Sequence, residues 1–149
     1  MKILLAASEA LPFFKSGGLA DVARSLPDAL LERGHDVQII HPLYPSVLYR
    51  GLPLLEHERL AVPWVGGHIE VRSFLHKPNK GAPAILLQHH AIAVNGSPYE
   101  DADPLAPARR FALFSRAALT YARAWGADVI HLNDWQTGLV PIYGMIDGI

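Results

Sequence analysis

The chain has 149 residues, half of them hydrophobic and 18% charged, which is one domain's length with apolar material enough for a core. Its formal net charge of -1 gives no electrostatic footprint for nucleic acid or an anionic membrane surface. With no cysteine, no run near the roughly 20 apolar residues of a membrane span, and an apolar start that meets Ser8-Glu9 too early for a signal peptide, the expectation is a soluble, cytoplasmic protein without thiol chemistry or a Cys metal site.

Residues 3–7 are a short apolar run, the pattern of a strand buried on both faces. Residues 9–17 carry Pro12 and lead into Gly17-Gly18, which is loop and turn chemistry. Leu19, Val22, Ala23, Leu26, Leu30 and Leu31 follow at helical spacing, and Gly34 closes that helix. Pro27 sits inside the pattern and should kink the helix or stop it early. Residues 37–40 read as a second strand, so the opening is a βαβ unit whose natural home is a parallel sheet.

The middle of the chain is less regular. Residues 42–53 are turn-rich, and residues 60–65 and 68–75, split by Gly66-Gly67, read as a β-hairpin. Residues 84–88 form another buried strand, and residues 91–106 a long polar loop, a kind that in compact domains is functional or disordered. A helix from Pro107 places Phe111, Phe114, Ala118, Tyr121 and Ala122 on one face, with Arg109, Arg110 and Arg116 read as a solvated face, and ends at Gly126. Residues 128–132 are a strand, and a last helix is predicted from Gln136 with Leu139, Ile142, Tyr143 and Ile146 on one face.

Two segments could carry chemistry. Lys15-Ser16-Gly17-Gly18-Leu19 lies between strand and helix, at the sheet edge where α/β proteins bind ligands. Glycines there allow close backbone approach, N–H groups at a helix start attract anions, and a lysine adds a mobile charge suited to phosphate. A plain two-glycine turn with a solvated Lys15 explains the same letters, and spacing alone does not separate these readings. The loop is neither the Gly-x-Gly-x-x-Gly dinucleotide fingerprint nor a P-loop, since its lysine precedes the glycines and no acid closes the second strand.

The second segment runs from His131 through Asn133, Asp134 and Trp135 to Thr137. A histidine, amide and acid groups and an aromatic ring at a strand end suit a polyhydroxylated ligand. The competing account makes Asn133 or Asp134 a helix cap and Trp135 core. His89-His90 lacks a third partner at ligand spacing, so no metal site is expected. Glu9 and Asp21 flank the glycine loop, where either could be an ordinary surface carboxylate.

Taken together, these segments resemble the bacterial glycogen synthases and plant starch synthases. The resemblance is carried by Ser8-Glu9-Ala10-Leu11-Pro12-Phe13-Phe14-Lys15-Ser16-Gly17-Gly18-Leu19-Ala20-Asp21-Val22, then by Gly34-His35-Asp36-Val37, Gly96-Ser97-Pro98-Tyr99, Arg110-Phe111-Ala112-Leu113-Phe114 and residues 131–139. It implies an α/β, Rossmann-like domain over residues 1–149, the incomplete N-terminal half of a two-domain GT-B glycosyltransferase whose C-terminal nucleotide-binding domain is absent. The reaction it implies is retaining transfer of glucose from ADP-glucose to the non-reducing 4-OH of an α-1,4-glucan, with no cofactor and no required metal.

Residue by residue, the resemblance places Lys15 on the donor nucleotide-sugar with Gly17 and Gly18 beside its diphosphate. Asp21 falls on the acceptor side of the cleft, His131 near the transferred glucose, and Tyr99, Asp134 and Trp135 along the glucan path. An Asp-Asn pair usual in the family is replaced here by Ala106-Pro107, with Asp103 the nearest acid. Residues 144–149 faintly resemble a Gly-Ile-x-Asn-Gly-Ile motif that lies much later in the family. The isolated chain is expected to be inactive, and an incomplete sheet to make it self-associate. A non-catalytic glucan-binding module and another nucleotide-binding α/β domain stand as alternatives, and these residues do not separate ADP-glucose from UDP-glucose.

Overall fold

A computed structural model describes residues 1–148; Ile149, the last letter of the late-motif resemblance, lies outside them. Strand β1 (Lys2–Ala6) leads through the glycine loop to helix α1 (Leu19–Glu32) and strand β2 (Asp36–Pro42). A single helical turn, α2 (Pro45–Leu48), precedes the hairpin β3 (Leu55–Trp64) and β4 (Gly67–His76), and β5 (Ala84–Gln88) follows. The long helix α3 (Ala106–Trp125), strand β6 (Val129–Leu132) and short helix α4 (Val140–Ile146) complete the order.

The six strands make one sheet in the order β3-β4-β5-β2-β1-β6. Four of them, β5-β2-β1-β6, run parallel, while the hairpin is antiparallel within itself and against β5. The sheet is thus mixed rather than wholly parallel, with its Rossmann-like part built from the βαβ units read in the sequence. The parallel strands are apolar in successive residues because both faces are covered. Leu4, Ala6, Ile40, Ile85 and Leu87 pack with Phe111, Phe114, Ala118 and Tyr121 of α3. Their neighbours Leu5, Ala7, Ile39, Ala84 and Leu86 pack with Ala23 of α1, Tyr44 and Val47.

Local rules set the helix ends. After α1, Gly34 takes φ 83°, and the N–H groups of Gly34 and His35 donate to the carbonyls of Leu31 and Leu30, closing a Schellman motif. Pro27 does not stop α1, which runs on to Glu32 with the Pro27 ring buried. Burial of that ring offsets the hydrogen bond its nitrogen cannot make. The last predicted helix is two pieces, a 3-10 turn (Trp135–Thr137) and α4. Pro141 has no N–H to give the Thr137 carbonyl, so one continuous helix across this segment would lose a bond at its centre.

The arginine reading of α3 is corrected. Arg109 is solvated, but Arg110 and Arg116 are buried. Arg116 makes a two-pronged ion pair with Asp147 at 2.8 and 2.9 Å, fixing α4 to α3. Arg110 sits on the same stripe as Phe114, Ala118 and Tyr121 and ties down the loop before the helix.

Candidate functional site

β1 is flanked by β2 on one side and β6 on the other. The chain leaves β1 toward one side of the sheet and returns for β6 on the other, so their carboxyl ends open the crevice in which α/β sheets bind ligands. β1 delivers Ser8 and Glu9 to that crevice; β6 delivers Asn133, Asp134 and Trp135, with the Asn133 N–H donating to the Ala6 carbonyl at 3.2 Å.

Glu9 is the hub, and the sequence reading that left it as a possible surface carboxylate is overturned: it is 5% exposed. Its carboxylate accepts from the Ser16 N–H (2.7 Å), the Ser16 hydroxyl (2.6 Å), the Gly17 N–H (3.0 Å) and the Tyr99 hydroxyl (2.8 Å). Burial alone would raise its pKa, but the bonds from Ser16, Gly17 and Tyr99 outweigh it and hold the carboxyl below its ordinary value. The Tyr99 hydroxyl also lies 3.0 Å from Ser8 Oγ, and burial, joined by the Glu9 carboxylate, raises the phenol's pKa. Glu9 therefore joins the glycine loop to the 91–105 loop, and it takes up the Gly17 N–H that the sequence reading had offered to a phosphate.

Gly18 has φ -72°, and Gly17 is not among the residues with positive φ. A Cβ built at either position meets nothing within 4 Å. Neither a positive φ nor internal packing requires glycine at these two positions. In front of them Lys15 Nζ donates to both Asp21 oxygens, at 2.8 and 2.7 Å, and both residues are exposed. The two residues assigned to opposite sides of the cleft are thus in contact.

On β6, His131 pairs in register with Leu5 and shares its face, while Ile130 and Leu132 turn to the α3 side. The buried Asn133 amide nitrogen donates to the Ala6 carbonyl at 3.0 Å and lies 3.2 Å from His131 Nδ1. A carbonyl only accepts, so the amide is oriented and its nitrogen faces Nδ1 as a donor. The neutral His131 ring consequently carries its proton on Nε2.

Asp134 caps the 3-10 turn, accepting from the Trp135 N–H at 2.7 Å, as the capping account proposed. It does so at φ 64°, ψ 178°, the one non-glycine with positive φ among the described residues, a strain of about 1–3 kcal/mol of the kind that collects at functional sites. Trp135 is not core: it is 54% exposed, its edge against Phe111 at 5.2 Å. Phe111 stacks on Tyr99 at 5.9 Å, so Tyr99, Phe111 and Trp135 form an aromatic row linking the 91–105 loop to the end of β6.

Phe111 and Arg110 were not read as site residues, Glu9 was read only as an acid flanking the glycine loop, and Asn133 only as a ligand-facing amide or a cap. Arg110, 4% exposed, donates to the Pro98 carbonyl and, at 3.2 Å, to Asp101, which holds the segment carrying Tyr99. Its place on the buried stripe of α3 was the signal that could have marked it. Asp103 is engaged at the start of α3, accepting from the Leu105 N–H at 2.9 Å and from Arg109 at 2.7 Å. Among the described residues no group of three His, Asp or Glu is placed to hold a metal ion.

The model of the starch synthase catalytic domain matches residues 2–145. The glycogen synthase of Marinomonas sp. (strain MWYL1) is 40% identical over 157 residues, covering 96% of this chain and 32% of that protein. The glycogen synthase of Syntrophotalea carbinolica is 41% identical over 145 residues, covering 95% and 30%. Among solved structures, the catalytic domain of starch synthase IV from Arabidopsis thaliana, bound to ADP and acarbose, superposes with a TM-score of 0.79 at 34% identity, over 95% of this chain and 29% of that one. The chain spans about three-tenths of the length of such relatives. It belongs to the starch synthase catalytic domain family.

Proposed function

We propose that this chain is the N-terminal portion of an ADP-glucose-dependent glucan synthase, carrying the acceptor side and the phosphate-facing loop of a cleft completed by a second, nucleotide-binding domain. The observation that carries the reading is the glycine pair, which the fold does not need and whose space stands open at the crevice. Family membership supplies the chemistry: a retaining transfer in which the bond from the glucose C1 to the diphosphate breaks, ADP leaves with the electron pair, and C1 bonds to an acceptor 4-OH whose proton passes to the departing diphosphate. Glycogen synthases and an ADP- and acarbose-bound starch synthase as relatives support these substrates.

Within that reading, Lys15 leaves Asp21 for the diphosphate, where it and the first N–H groups of α1 stabilise the departing charge. Gly17 and Gly18 let the phosphates approach. His131 donates from Nε2 to the transferred sugar, and Asp21, once released, accepts from an acceptor hydroxyl. Tyr99, Asp134 and Trp135 line the glucan path, where an exposed indole suits the apolar face of a glucose unit.

The test is a titration of the purified chain with ADP-glucose and with maltoheptaose, followed by backbone amide shifts, beside an assay for labelled glucose entering glycogen. Shifts at residues 15–21 with the nucleotide-sugar and at Tyr99 and Trp135 with the oligosaccharide, without turnover, are the expected outcome. Turnover by the chain alone would overturn the half-site reading. Oligosaccharide shifts with none from ADP-glucose would favour a glucan-binding module, to which the aromatic row of Tyr99, Phe111 and Trp135 already lends itself.

A further inference from the structure

The donors that converge on the Glu9 carboxylate come from two segments facing the crevice and none from the core. Oε2 accepts from the N–H groups of Ser16 and Gly17, in the glycine loop. Oε1 accepts from the Ser16 hydroxyl at 2.6 Å and the Tyr99 hydroxyl at 2.8 Å, so one oxygen is shared by the two segments. We propose that Glu9 is a positioning residue that couples the nucleotide-sugar end of the crevice to its glucan end, so that occupation of either tightens the other. The inference rests on the glucan-synthase reading above.

The direction of each bond follows from the chemistry of the groups. A carboxylate only accepts, so the single Tyr99 hydroxyl proton points at Glu9, and the phenol oxygen accepts from Ser8 Oγ at 3.0 Å. The ring that this hydroxyl aims is the first of the row continued by Phe111 and Trp135. At the other end, residues 15–18 are exposed, and the Ser16 and Gly17 N–H groups have no backbone acceptor among the described residues. Glu9 is therefore the acceptor that ties the backbone of this loop to the end of β1. The N–H groups next along the chain open α1, whose start has no side-chain cap, and these remain for the diphosphate.

A simple brace would not need this arrangement. Burying a carboxylate costs free energy that a neutral group holding the turn would avoid. The Tyr99 segment is already held by Arg110, through Pro98 and Asp101. What the carboxylate adds is a shared partner. A diphosphate on Lys15 and the α1 amides fixes the backbone of residues 15–18, and with it the Ser16 and Gly17 donors on Glu9. Glu9 then holds the Tyr99 hydroxyl with less freedom left to lose when a sugar settles on the ring. Linkage makes the effect reciprocal: an oligosaccharide on Tyr99 raises the affinity for the nucleotide-sugar by the same factor.

The test measures maltoheptaose affinity from amide shifts at Tyr99 and Trp135 of the 149-residue chain, with and without saturating ADP-glucose. It compares the unaltered protein with Glu9→Gln and Tyr99→Phe. An amide has one acceptor oxygen, so Glu9→Gln can serve the glycine loop or Tyr99 but not both. Tyr99→Phe keeps the stacked ring and loses only the hydroxyl. The unaltered protein should bind the oligosaccharide about fivefold more tightly with ADP-glucose present, and the ratio should fall to about one in both variants. ADP-glucose alone should slow hydrogen exchange at residues 97–101 of the unaltered protein. A ratio of about one there, with both ligands bound, would overturn the coupling and leave the glucan-synthase reading standing. A ratio that survives either substitution would take Glu9 out of the account, and Tyr99→Phe decides this alone where Glu9→Gln fails to fold. Oligosaccharide shifts with no response to ADP-glucose, or a folded spectrum that neither ligand moves, would overturn the underlying reading and the inference with it.

Discussion

His41 shows how one buried side chain sets the acid limit of the fold. It is fully buried between the rings of Phe13 and Tyr44, with Nδ1 on the Pro42 carbonyl at 2.5 Å and no partner for Nε2 among the described residues. Burial pulls its pKa down to about 3, against the opposing pull of the Pro42 carbonyl and the Glu9 carboxylate. An unfolded histidine titrates near 6.5. Between those values the unfolded chain binds the extra proton, so this contribution is complete above about 6.5 and is lost as pH falls toward 3. Denaturant midpoints should show a loss of about 2 kcal/mol between pH 6.5 and pH 5, at ~1.36 kcal/mol per unit. His41→Leu should remove most of that slope, leaving the residue from His89, whose pKa is lowered in the same direction. An unchanged slope in the variant would refute the assignment.

Arg110 carries a second expectation at this scale. Replacing it with methionine keeps the volume and the helix but frees Pro98 and Asp101, and should cost about 1–3 kcal/mol while loosening Tyr99 from Glu9. Hydrogen exchange confined to residues 97–101 would check the local origin of that loss. Neither His41 nor Arg110 was legible as buried from composition, because both are types that usually stay in water. Lys15, Gly17, Gly18, His131, Asp134 and Trp135 could be singled out because strand ends and glycine positions declare themselves in order, whereas Tyr99, in the long loop, was singled out only by the family resemblance. Glu9 was visible only as a flanking acid, since its role is made by Ser16, Gly17 and Tyr99 converging on it in space.

At the scale of elements, two glycines should respond to the same substitution in opposite ways. Gly126 ends α3 at φ 73°, ψ 46°, where a Cβ is strained, so Gly126→Ala should cost about 1–2 kcal/mol in thermal or denaturant unfolding. Gly17 has open space and no positive φ, so Gly17→Ala should change stability by no more than about 0.5 kcal/mol. It should nonetheless weaken ADP-glucose binding if the cleared space belongs to the phosphates. Stability lost equally in both variants would return Gly17 to a structural role. Capping glycines, the hairpin and the doubly buried strands were readable because each is a local rule. The break between the 3-10 turn and α4 was not, because the spacing of Leu139, Ile142, Tyr143 and Ile146 is helical while the interruption depends on the missing N–H of Pro141.

Across the whole molecule, the two sheet edges differ. The β3 edge belongs to a hairpin rich in charge, with Glu56, Arg59, Glu70 and Arg72 paired across it. The β6 edge pairs only with β1 among the described residues and carries exposed Val129. Beside it, Ile142, Met145 and Ile146 of α4 are exposed, Met145 at 78%, and Leu119, Ile130, Leu132 and Val140 line an open apolar cleft of about 440 Å3. A free strand edge next to uncovered apolar surface is a template for pairing with another chain. Copies of this chain are therefore expected to associate through β6 and α4, and sedimentation velocity should show a concentration-dependent shift above the monomer. Val129→Lys places charge on the edge and Met145→Glu places it on the apolar face, and the pair should return the protein to a monomer with its unfolding midpoint preserved. A monomer at every concentration before substitution would show that this surface is adequately solvated as it stands, and would remove self-association from the account of the chain.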